Sequence, residues 1–358
     1  MERFGLVGLP NAGKTSLFNA LTGAEAPVAG HPFSTTETNI GTAQVADERL
    51  ERLAEMSKSR KVVHATAEFV DIAGLQKGSA QGEGLGNRFL GGIREVDAIC
   101  YVLRSFTALD VPGGNDPLDD LATLELELVL ADVASAEAQL GRRRKAARAD
   151  KSLAAEVGAL ERAVAELQDA RPLYRAGLGD DDLALLRPYF LLTAKPLLAV
   201  VNLGENDLDR ADQVVAPVAA ELDGIAEVLG VCVQLEAEAA RLDAGERAEL
   251  LEGLGLGEGA LPRLIRSAYH LLGLRTFLTT GDKESRAWTF RAGAKAPECA
   301  GVIHSDLQRG FIRAEVIHWQ ELLDIGSWQK AKELGKLRVE GKDYEVQDGD
   351  VLEIRFNV

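Results

Sequence analysis

The sequence predicts an α/β fold, in which a parallel sheet with crossover helices carries an inserted helical hairpin and is followed by a small β-rich domain. Three observations lead to this expectation. Short apolar runs alternate with helical patterns over much of the chain, which is the order of parallel strands joined by helices. In one long interval, 118–189, the apolar residues keep helical spacing and no strand-like run interrupts them. Short strand and turn signals replace both patterns after residue 274.

The first element of this fold is the parallel sheet. Its expected strands are short and apolar, and the stretches between most of them have apolar residues at helical spacing. The strand runs are Phe4–Val7, Ala67–Ile72, Ala98–Leu103, Pro196–Val201 and Glu227–Val233. We therefore assign residues 1–117 and 190–274 to one α/β domain.

The second element is a pair of helices inserted into that domain. Residues 118–189 are rich in Ala, Leu, Glu and Arg, with little Gly or Pro before Pro172. Their apolar residues keep helical spacing at Leu121, Leu124, Leu128, Val129, Leu153, Val157, Leu160, Val164 and Leu167. This spacing predicts two long helices that form an antiparallel hairpin.

A basic run lies near the expected end of the first of these helices. It comprises Arg142, Arg143, Arg144 and Lys145, with Arg148 and Lys151 further on. Two interpretations stay open: the run is a solvated helix face, or it is a contact surface for the phosphates of RNA.

The third element is a β-rich domain over 275–358. Strand signals occur at Ala287–Phe290, Phe311–Val316, Lys336–Val339 and Val351–Phe356. Gly- and Asp-containing turn signals at 340–343 and 347–350 separate the last of them. This change of pattern predicts a small separate domain.

Composition narrows the range of functions. The chain has 358 residues, 46% of them apolar, which is typical of a globular protein of two or three domains. No apolar stretch approaches the roughly 20 residues that cross a bilayer, and the first strand leaves no room for a signal peptide. We therefore expect a cytoplasmic protein with no membrane partner. The three scattered cysteines show no metal-binding spacing. The net charge of −16 argues against a surface that coats nucleic acid as a whole.

The stretch Gly8-Leu-Pro-Asn-Ala-Gly-Lys-Thr15 follows the first strand and opens a helix. Gly-x-x-x-x-Gly-Lys-Thr in this setting is a P-loop, whose backbone N–H groups bind a phosphate chain at a helix N-terminus. In this pattern Lys14 reaches the β- and γ-phosphates. We predict phosphate contacts from Asn11, Ala12, Gly13, Lys14, Thr15, Ser16 and Gly74. The predicted parallel sheet is therefore that of a P-loop NTPase, or G domain.

The same pattern predicts a Mg²⁺ site. The Thr15 hydroxyl is the expected first ligand, and Asp71 ends an apolar strand where its carboxylate can reach the ion. Thr35 is the expected third ligand, with Thr36 as the near alternative. Gly74, three residues after Asp71, is placed to sense the γ-phosphate with its N–H group.

No catalytic residue can be assigned from the sequence. Many GTPases place a water-orienting glutamine directly after this glycine, but this chain has Leu75, which cannot orient water by hydrogen bonding. Gln76 is a weak substitute. Two interpretations of Asn11 stay open: its side-chain oxygen helps to hold K⁺ against the phosphates, or it only shapes the loop.

The base-binding segment favours ATP over GTP. A GTPase normally carries Asn-Lys-x-Asp, whose aspartate accepts hydrogen bonds from guanine, whereas this chain has Asn202-Leu-Gly-Glu205. The lysine is missing and the carboxylate is one methylene longer. Asn202 and main-chain groups near Leu203 could read the edge of adenine instead, so we predict that Asn202, Leu203 and Glu205 bind the base.

These motifs together resemble the YchF/Obg-like ATPases, a branch of the Obg family of P-loop GTPases. The resemblance covers nearly the whole chain. It is carried by the P-loop and by Pro32–Thr35, Phe69–Leu75, Gly82–Asn87, Asn202–Glu205 and, near the C-terminus, Arg286–Trp288, Gly301–Asp306, Gly310–Glu315, Val346–Asp350 and Arg355–Val358.

The resemblance implies a G domain, the inserted hairpin and a C-terminal TGS domain of β-grasp type. It also implies slow ATP hydrolysis and association with ribosomes in translation or in a stress response. An apolar residue replaces the catalytic glutamine in this family, as Leu75 does here.

The chain departs from the family pattern in two places. Residues 105–114 lack the histidine that family members often carry, and Cys232-Val-Gln-Leu-Glu replaces the Ser-Ala-Lys-like turn of related GTPases. Three hypotheses remain: a ribosome-associated ATP switch, a nucleotide-gated RNA- or protein-binding module with incidental hydrolysis, and an Obg-type GTPase.

Overall fold

The structure is a computed structural model that describes residues 2–26, 38–72, 85–107 and 114–357. The predicted site residues Thr35, Gly74 and Leu75, with the alternatives Thr36 and Gln76, lie outside these ranges. The strands within them are β1 Arg3–Val7, β2 Asn39–Val45, β3 Val62–Val63, β4 Ala65–Asp71, β5 Ala98–Arg104, β6 Leu197–Asn202, β7 Glu227–Val231, β8 Leu274–Thr279, β9 Ser285–Arg291, β10 Phe311–His318, β11 Arg338–Glu340 and β12 Asp350–Phe356.

The helices are bounded as follows. They are α1 Lys14–Thr22, α2 Glu48–Ser57, α3 Leu85–Arg94, α4 Pro117–Ala147, α5 Ala154–Gln168, α6 Asp180–Leu186, α7 Ala211–Glu221, α8 Val233–Ala239, α9 Ala244–Gly253, α10 Ala260–Leu271, α11 Ala296–Ile303, α12 Ser305–Arg309, α13 Trp319–Ile325 and α14 Trp328–Glu333. No helix in the described part of the chain is both long and apolar enough to cross a membrane.

The chain forms two compact units. The first comprises Met1–Ala43 and Glu68–Ala268, and the second comprises Gln44–Ala67 and Tyr269–Val358. Residues 44–67 lie within the range 1–117 that we assigned to the α/β domain. Nothing in the sequence pattern indicated that they group with the C-terminal residues. The three-domain division itself stays a prediction.

The sheet of the first unit has the strand order β2-β4-β1-β5-β6-β7. The pairs β1–β4, β1–β5, β5–β6 and β6–β7 are parallel, which confirms the predicted α/β class. Every residue of β5 and β6 is buried, so these two strands form the centre of the core. Strand β2 was not predicted, because its polar and half-exposed residues give no apolar run.

The inserted hairpin is confirmed, and its second helix is shorter than expected. Helix α4 has 31 residues and α5 has 15. Gln168 reaches Glu137 at 2.6 Å and Arg144 reaches Glu161 at 2.7 Å, a pairing that runs in opposite directions along the two helices. After α5 the chain continues through short 3₁₀ turns and α6 rather than a long helix.

Two carboxylates, one buried and one partly buried, tie α4 to the rest of its unit. Asp132, 1% exposed, accepts hydrogen bonds from the main-chain N–H groups of Leu192 and Thr193, each at 2.8 Å. Glu125 accepts from the Tyr174 hydroxyl at 2.8 Å and from the Arg175 guanidinium at 2.9 Å. The base of the hairpin is therefore held by directional bonds as well as by apolar packing.

The second unit has a mixed sheet with the order β11-β10-β12-β8-β9-β3. Strand β12 pairs with β8 in parallel, and each of the two has an antiparallel partner on its other side. Helix α11 follows β9 and packs Cys299 and Ala300 into a core with Phe277 and Phe290. This is the strand order of a β-grasp domain. Strand β8 was not among the predicted strands.

Segment 44–67 belongs to this unit through polar contacts and strand pairing. The Arg49 guanidinium donates to Asp348 at 2.7 Å and to the Thr276 hydroxyl at 2.8 Å. The Thr280 hydroxyl donates to Ser57 at 2.7 Å, and β3 pairs with β9. These partners are more than 200 positions apart in the sequence, which explains why no local pattern indicated the grouping.

Candidate nucleotide site

The P-loop connects β1 to the N-terminus of α1. Gly13 takes a left-handed conformation with φ 95° at the start of α1, whose first turn contains Lys14, Thr15 and Ser16. N–H groups in the first turn of a helix bind anions, which the helix dipole also attracts. Asn11, with φ 63°, is a second left-handed residue in the loop.

The two glycines of the motif are required by close approaches. A Cβ atom on Gly8 would lie 2.5 Å from the Val102 carbonyl oxygen, and a Cβ atom on Gly13 would lie 2.3 Å from Asn202 Nδ2. Both distances are shorter than a carbon atom can occupy. The loop is therefore packed directly against the carboxyl ends of β5 and β6, where open α/β sheets bind ligands.

Lys14 is buried and already directed into the loop. Its side chain is 7% exposed, and its Nζ donates to the Leu9 carbonyl oxygen at 2.8 Å. Burial lowers the pKa of Lys14 to about 8, and the carboxylates of Asp71 and Asp120 oppose this decrease. The amine therefore keeps its positive charge at neutral pH, as a phosphate ligand must.

Thr15 and Asp71 meet at the carboxyl ends of β1 and β4. The Thr15 hydroxyl donates to Asp71 Oδ2 at 2.8 Å. Asp71 is fully buried, and its Oδ1 has no hydrogen-bond partner among the described residues. Burial raises the pKa of Asp71, whereas Thr15, Lys14 and Asn39 oppose the increase. A buried carboxylate oxygen without a partner, next to a hydroxyl, is suited to a hydrated Mg²⁺ ion.

The Asn202 side chain joins the P-loop to the start of α8. Its side-chain Nδ2 donates to the Ala12 carbonyl oxygen at 2.9 Å, and its Oδ1 accepts from the Val233 N–H group at 3.2 Å. The residue is 4% exposed. Both ends of this buried amide are thus used by protein groups, and its predicted contact with the base stays a prediction.

Leu203 and Glu205 occupy different environments. The Leu203 side chain is buried, where it faces Gly230, and its N–H group donates to the Val231 carbonyl oxygen at 2.9 Å. Glu205 is exposed and begins a 3₁₀ turn, Glu205–Arg210. The Glu205 carboxylate is therefore accessible to a base, whereas the Leu203 side chain is part of the core. Base binding by these residues also stays a prediction.

Sequence reasoning missed Asp120 and Arg104. The Arg104 N–H group, at the end of β5, donates to Asp120 Oδ2 at 2.9 Å, and the Arg104 guanidinium lies 4.6 Å from the centre of the Phe106 ring. Burial raises the pKa of Asp120 to about 6. No sequence signal distinguishes Asp120 from its acidic neighbours in the first turn of α4.

The basic run lies at the C-terminal end of α4, as expected. Two of its four residues are engaged within the hairpin: Arg143 donates to the Tyr189 hydroxyl at 2.8 Å, and Arg144 pairs with Glu161 at 2.7 Å. Arg142 and Lys145 are exposed, and neither forms a salt bridge within the described ranges. The positive charge of the run is therefore only partly neutralised by groups of the hairpin.

Comparisons with known proteins cover nearly the whole chain. The family model YchF-GTPase_C, described as "Protein of unknown function (DUF933)", matches residues 274–357, and a model described as "50S ribosome-binding GTPase" matches residues 3–130. The chain is 45% identical to the "Ribosome-binding ATPase YchF" of Bacillus subtilis and 46% identical to that of Haemophilus influenzae, with 99% of each chain covered. A solved Schizosaccharomyces pombe structure, titled as the YchF GTPase, superposes with a TM-score of 0.85 at 31% identity, covering 99% of this chain and 97% of that chain.

Replacing Asn202 by alanine should weaken nucleotide binding about 10- to 100-fold, because the Ala12 carbonyl and the Val233 N–H group would lose a buried partner worth about 1–3 kcal/mol. Titration with a fluorescent nucleotide measures the dissociation constant. Asn206→Ala, at an exposed position of the following turn, is the matched control. Equal affinities in Asn202→Ala and the wild type would show that the amide does not hold the loop.

Proposed function

This chain belongs to the YchF family of ribosome-binding ATPases, and from that membership we propose that it is a Mg²⁺-dependent ATPase that acts as a slow, ribosome-associated molecular switch. The reaction is hydrolysis of the bond between the β- and γ-phosphates. One observation carries the proposal: buried Lys14, the Thr15 hydroxyl and an Asp71 oxygen that has no hydrogen-bond partner among the described residues converge at the start of α1.

Each group has a defined part in phosphoryl transfer. The N–H groups of the P-loop and Lys14 bind the phosphate chain and offset its negative charge. Thr15 and Asp71 would hold Mg²⁺, together with the predicted ligand Thr35. When bound, the ion neutralises charge that develops on the phosphate oxygens. Gly74 is proposed to report the γ-phosphate through its main-chain N–H.

The proposed preference for ATP over GTP rests on segment 202–205. In the guanine-reading pattern a lysine and an aspartate face the base, but here Leu203 is buried in the core and Glu205 has the longer side chain. The Glu205 carboxylate lies one methylene further from the main chain than the aspartate of that pattern, so guanine would not meet it in the usual position, and a poorly paired polar edge costs binding energy. Adenine needs no such partner.

Hydrolysis is proposed to be slow because Leu75 occupies the place of the water-orienting glutamine. A K⁺ ion near Asn11 is one candidate aid, since a cation there would neutralise charge as the γ-phosphoryl group leaves. The left-handed conformation of Asn11 is compatible with either interpretation of this residue. The catalytic residue itself stays unassigned.

The hairpin tip is the proposed ribosome contact. Arg142, Lys145, Arg148 and Lys151 are exposed at the end of the hairpin, on a chain whose net charge is −16. A local positive group on an acidic protein favours approach to RNA phosphates at this site alone. Ribosome association in a translation or stress-response role follows from family membership and is supported by this group of charges.

The second candidate is a nucleotide-gated binding module in which hydrolysis is incidental. Leu75 favours it, because a residue that cannot orient water is also what a module without selected hydrolysis would carry. The third hypothesis, an Obg-type GTPase, is disfavoured by the buried Leu203 and by Glu205.

The full chain should bind MgATP more tightly than MgGTP, and Lys14→Ala should lose both triphosphate binding and turnover by at least about 100-fold, because the β- and γ-phosphates lose their buried cation. Calorimetric titration and phosphate release measure the two quantities. Lys283→Ala, at an exposed lysine, is the control. Turnover at the wild-type rate in a folded Lys14→Ala variant would remove the assignment of the site.

ATP turnover should be several-fold faster in K⁺ than in Na⁺ at matched ionic strength if Asn11 helps to hold the ion, because only the larger cation is proposed to fit this position. The difference should disappear in Asn11→Ala. Equal rates in the two salts would leave Asn11 with a loop-shaping role alone.

Replacing Arg142, Lys145 and Arg148 together by glutamine should flatten the salt dependence of ribosome binding, by about 0.7 in the logarithmic slope for each RNA phosphate that the variant no longer neutralises. The matched control replaces Arg143 and Arg144, which already pair within the hairpin, and should change the slope less. Sedimentation over a series of KCl concentrations provides the slopes. An unchanged slope in the triple variant would make the tip a solvated helix end.

A further inference from the structure

Asp120 is a buried acid that the phosphoryl-transfer scheme above does not use. It lies in the first turn of α4, the long helix of the hairpin, and is 7% exposed. Its neighbour Asp119 in the same turn is exposed. Buried carboxylates are rare without a partner, and Asp120 has one in the Arg104 N–H group, 2.9 Å from its Oδ2.

Further hydrogen bonds connect this end of β5 with the P-loop through the centre of the sheet. Arg104 lies opposite Asn202 in the parallel pair β5–β6, and the Ser105 N–H group donates to the Asn202 carbonyl oxygen at 3.0 Å. The Asn202 side chain in turn donates to Ala12. Hydrogen bonds therefore link the start of the hairpin helix with the phosphate-binding loop.

The charge of Asp120 is also close enough to act on the P-loop. Its carboxylate and that of Asp71 both stabilise the charge of Lys14. A carboxylate within electrostatic reach of the P-loop lysine is within reach of the phosphates that this lysine binds. Within the described ranges, the charged groups that face Asp120 are Arg104 on β5, Lys14 at the P-loop, and Asp116 and Asp119 at the start of α4.

We propose that Asp120 is a positioning residue of the nucleotide site, through which the hairpin limits nucleotide affinity. Its hydrogen bond fixes the end of β5 against α4, and its negative charge opposes the phosphates when they arrive. This inference rests on the proposed function, because it places the phosphates at the P-loop.

The repulsion depends on the ionisation of Asp120 itself and therefore changes with pH. Burial raises the pKa of this carboxyl to about 6. Above pH 7 the group is mostly charged and repels the phosphates. As the pH falls through 6 it gains a proton, the charge disappears, and the repulsion disappears with it. A neutral side chain at this position should therefore improve binding at pH 7, where Lys14 is still charged, and have little effect at pH 5.5.

The test is the affinity of the full chain for fluorescent ADP with Mg²⁺, measured between pH 5.5 and pH 7, where Lys14 keeps its charge. Asp120→Asn keeps an acceptor for the Arg104 N–H group and removes the charge. It should bind at least about threefold more tightly than the wild type at pH 7, with the advantage lost by pH 5.5. Asp119→Asn, which removes the same charge from an exposed neighbour, should follow the wild type across this range.

Equal affinities of Asp120→Asn and the wild type at pH 7 would overturn the proposal. A ratio of affinities that is constant with pH would also overturn it, because a purely structural role would produce that result. If Asp120→Asn does not fold, Asp120→Ser carries the same expectation. Failure of the proposed function itself would appear instead as unchanged binding in Lys14→Ala, so the two failures can be distinguished.

Discussion

The side-chain amide of Asn202 is the interaction on which the nucleotide site depends. It satisfies a carbonyl of the P-loop and an N–H group at the start of α8 with its two ends, in a place that water does not reach. A P-loop has few contacts of its own, because its N–H groups must stay available to phosphate. The amide therefore supplies the attachment that the loop cannot make for itself, and Gly13 is required because Asn202 lies where a Cβ atom would be.

This arrangement gives Asn202 a structural role that does not depend on which base is bound. Asn202 serves the loop, so its loss would disturb phosphate binding for any nucleotide. The Leu203 N–H group donates to the Val231 carbonyl oxygen, outside the loop. Leu203 is held by the core, and Glu205 is exposed. The residue that anchors the loop is thus in a different environment from the residues that are predicted to contact the base.

Much of this was predictable from the sequence, because the relevant signals are local. The P-loop, the buried parallel strands and the hairpin each have a short pattern that no other structure satisfies as well. The missed features depend on distant partners. Arg49 joins Asp348 across 299 positions, and Asp120 differs from Asp119 only in what the fold places beside it. Strand β2 was missed because half-exposed polar strands have weak periodicity.

The most direct test of the switch is the rate of ATP hydrolysis by the full chain at increasing concentrations of ribosomes. A ribosome-associated switch should show a saturable increase in rate, abolished in Lys14→Ala, at concentrations where the protein sediments with ribosomes in a nucleotide-dependent manner. An unchanged rate at concentrations that do sediment the protein would contradict this function, and would identify the chain as a binding module whose hydrolysis is incidental.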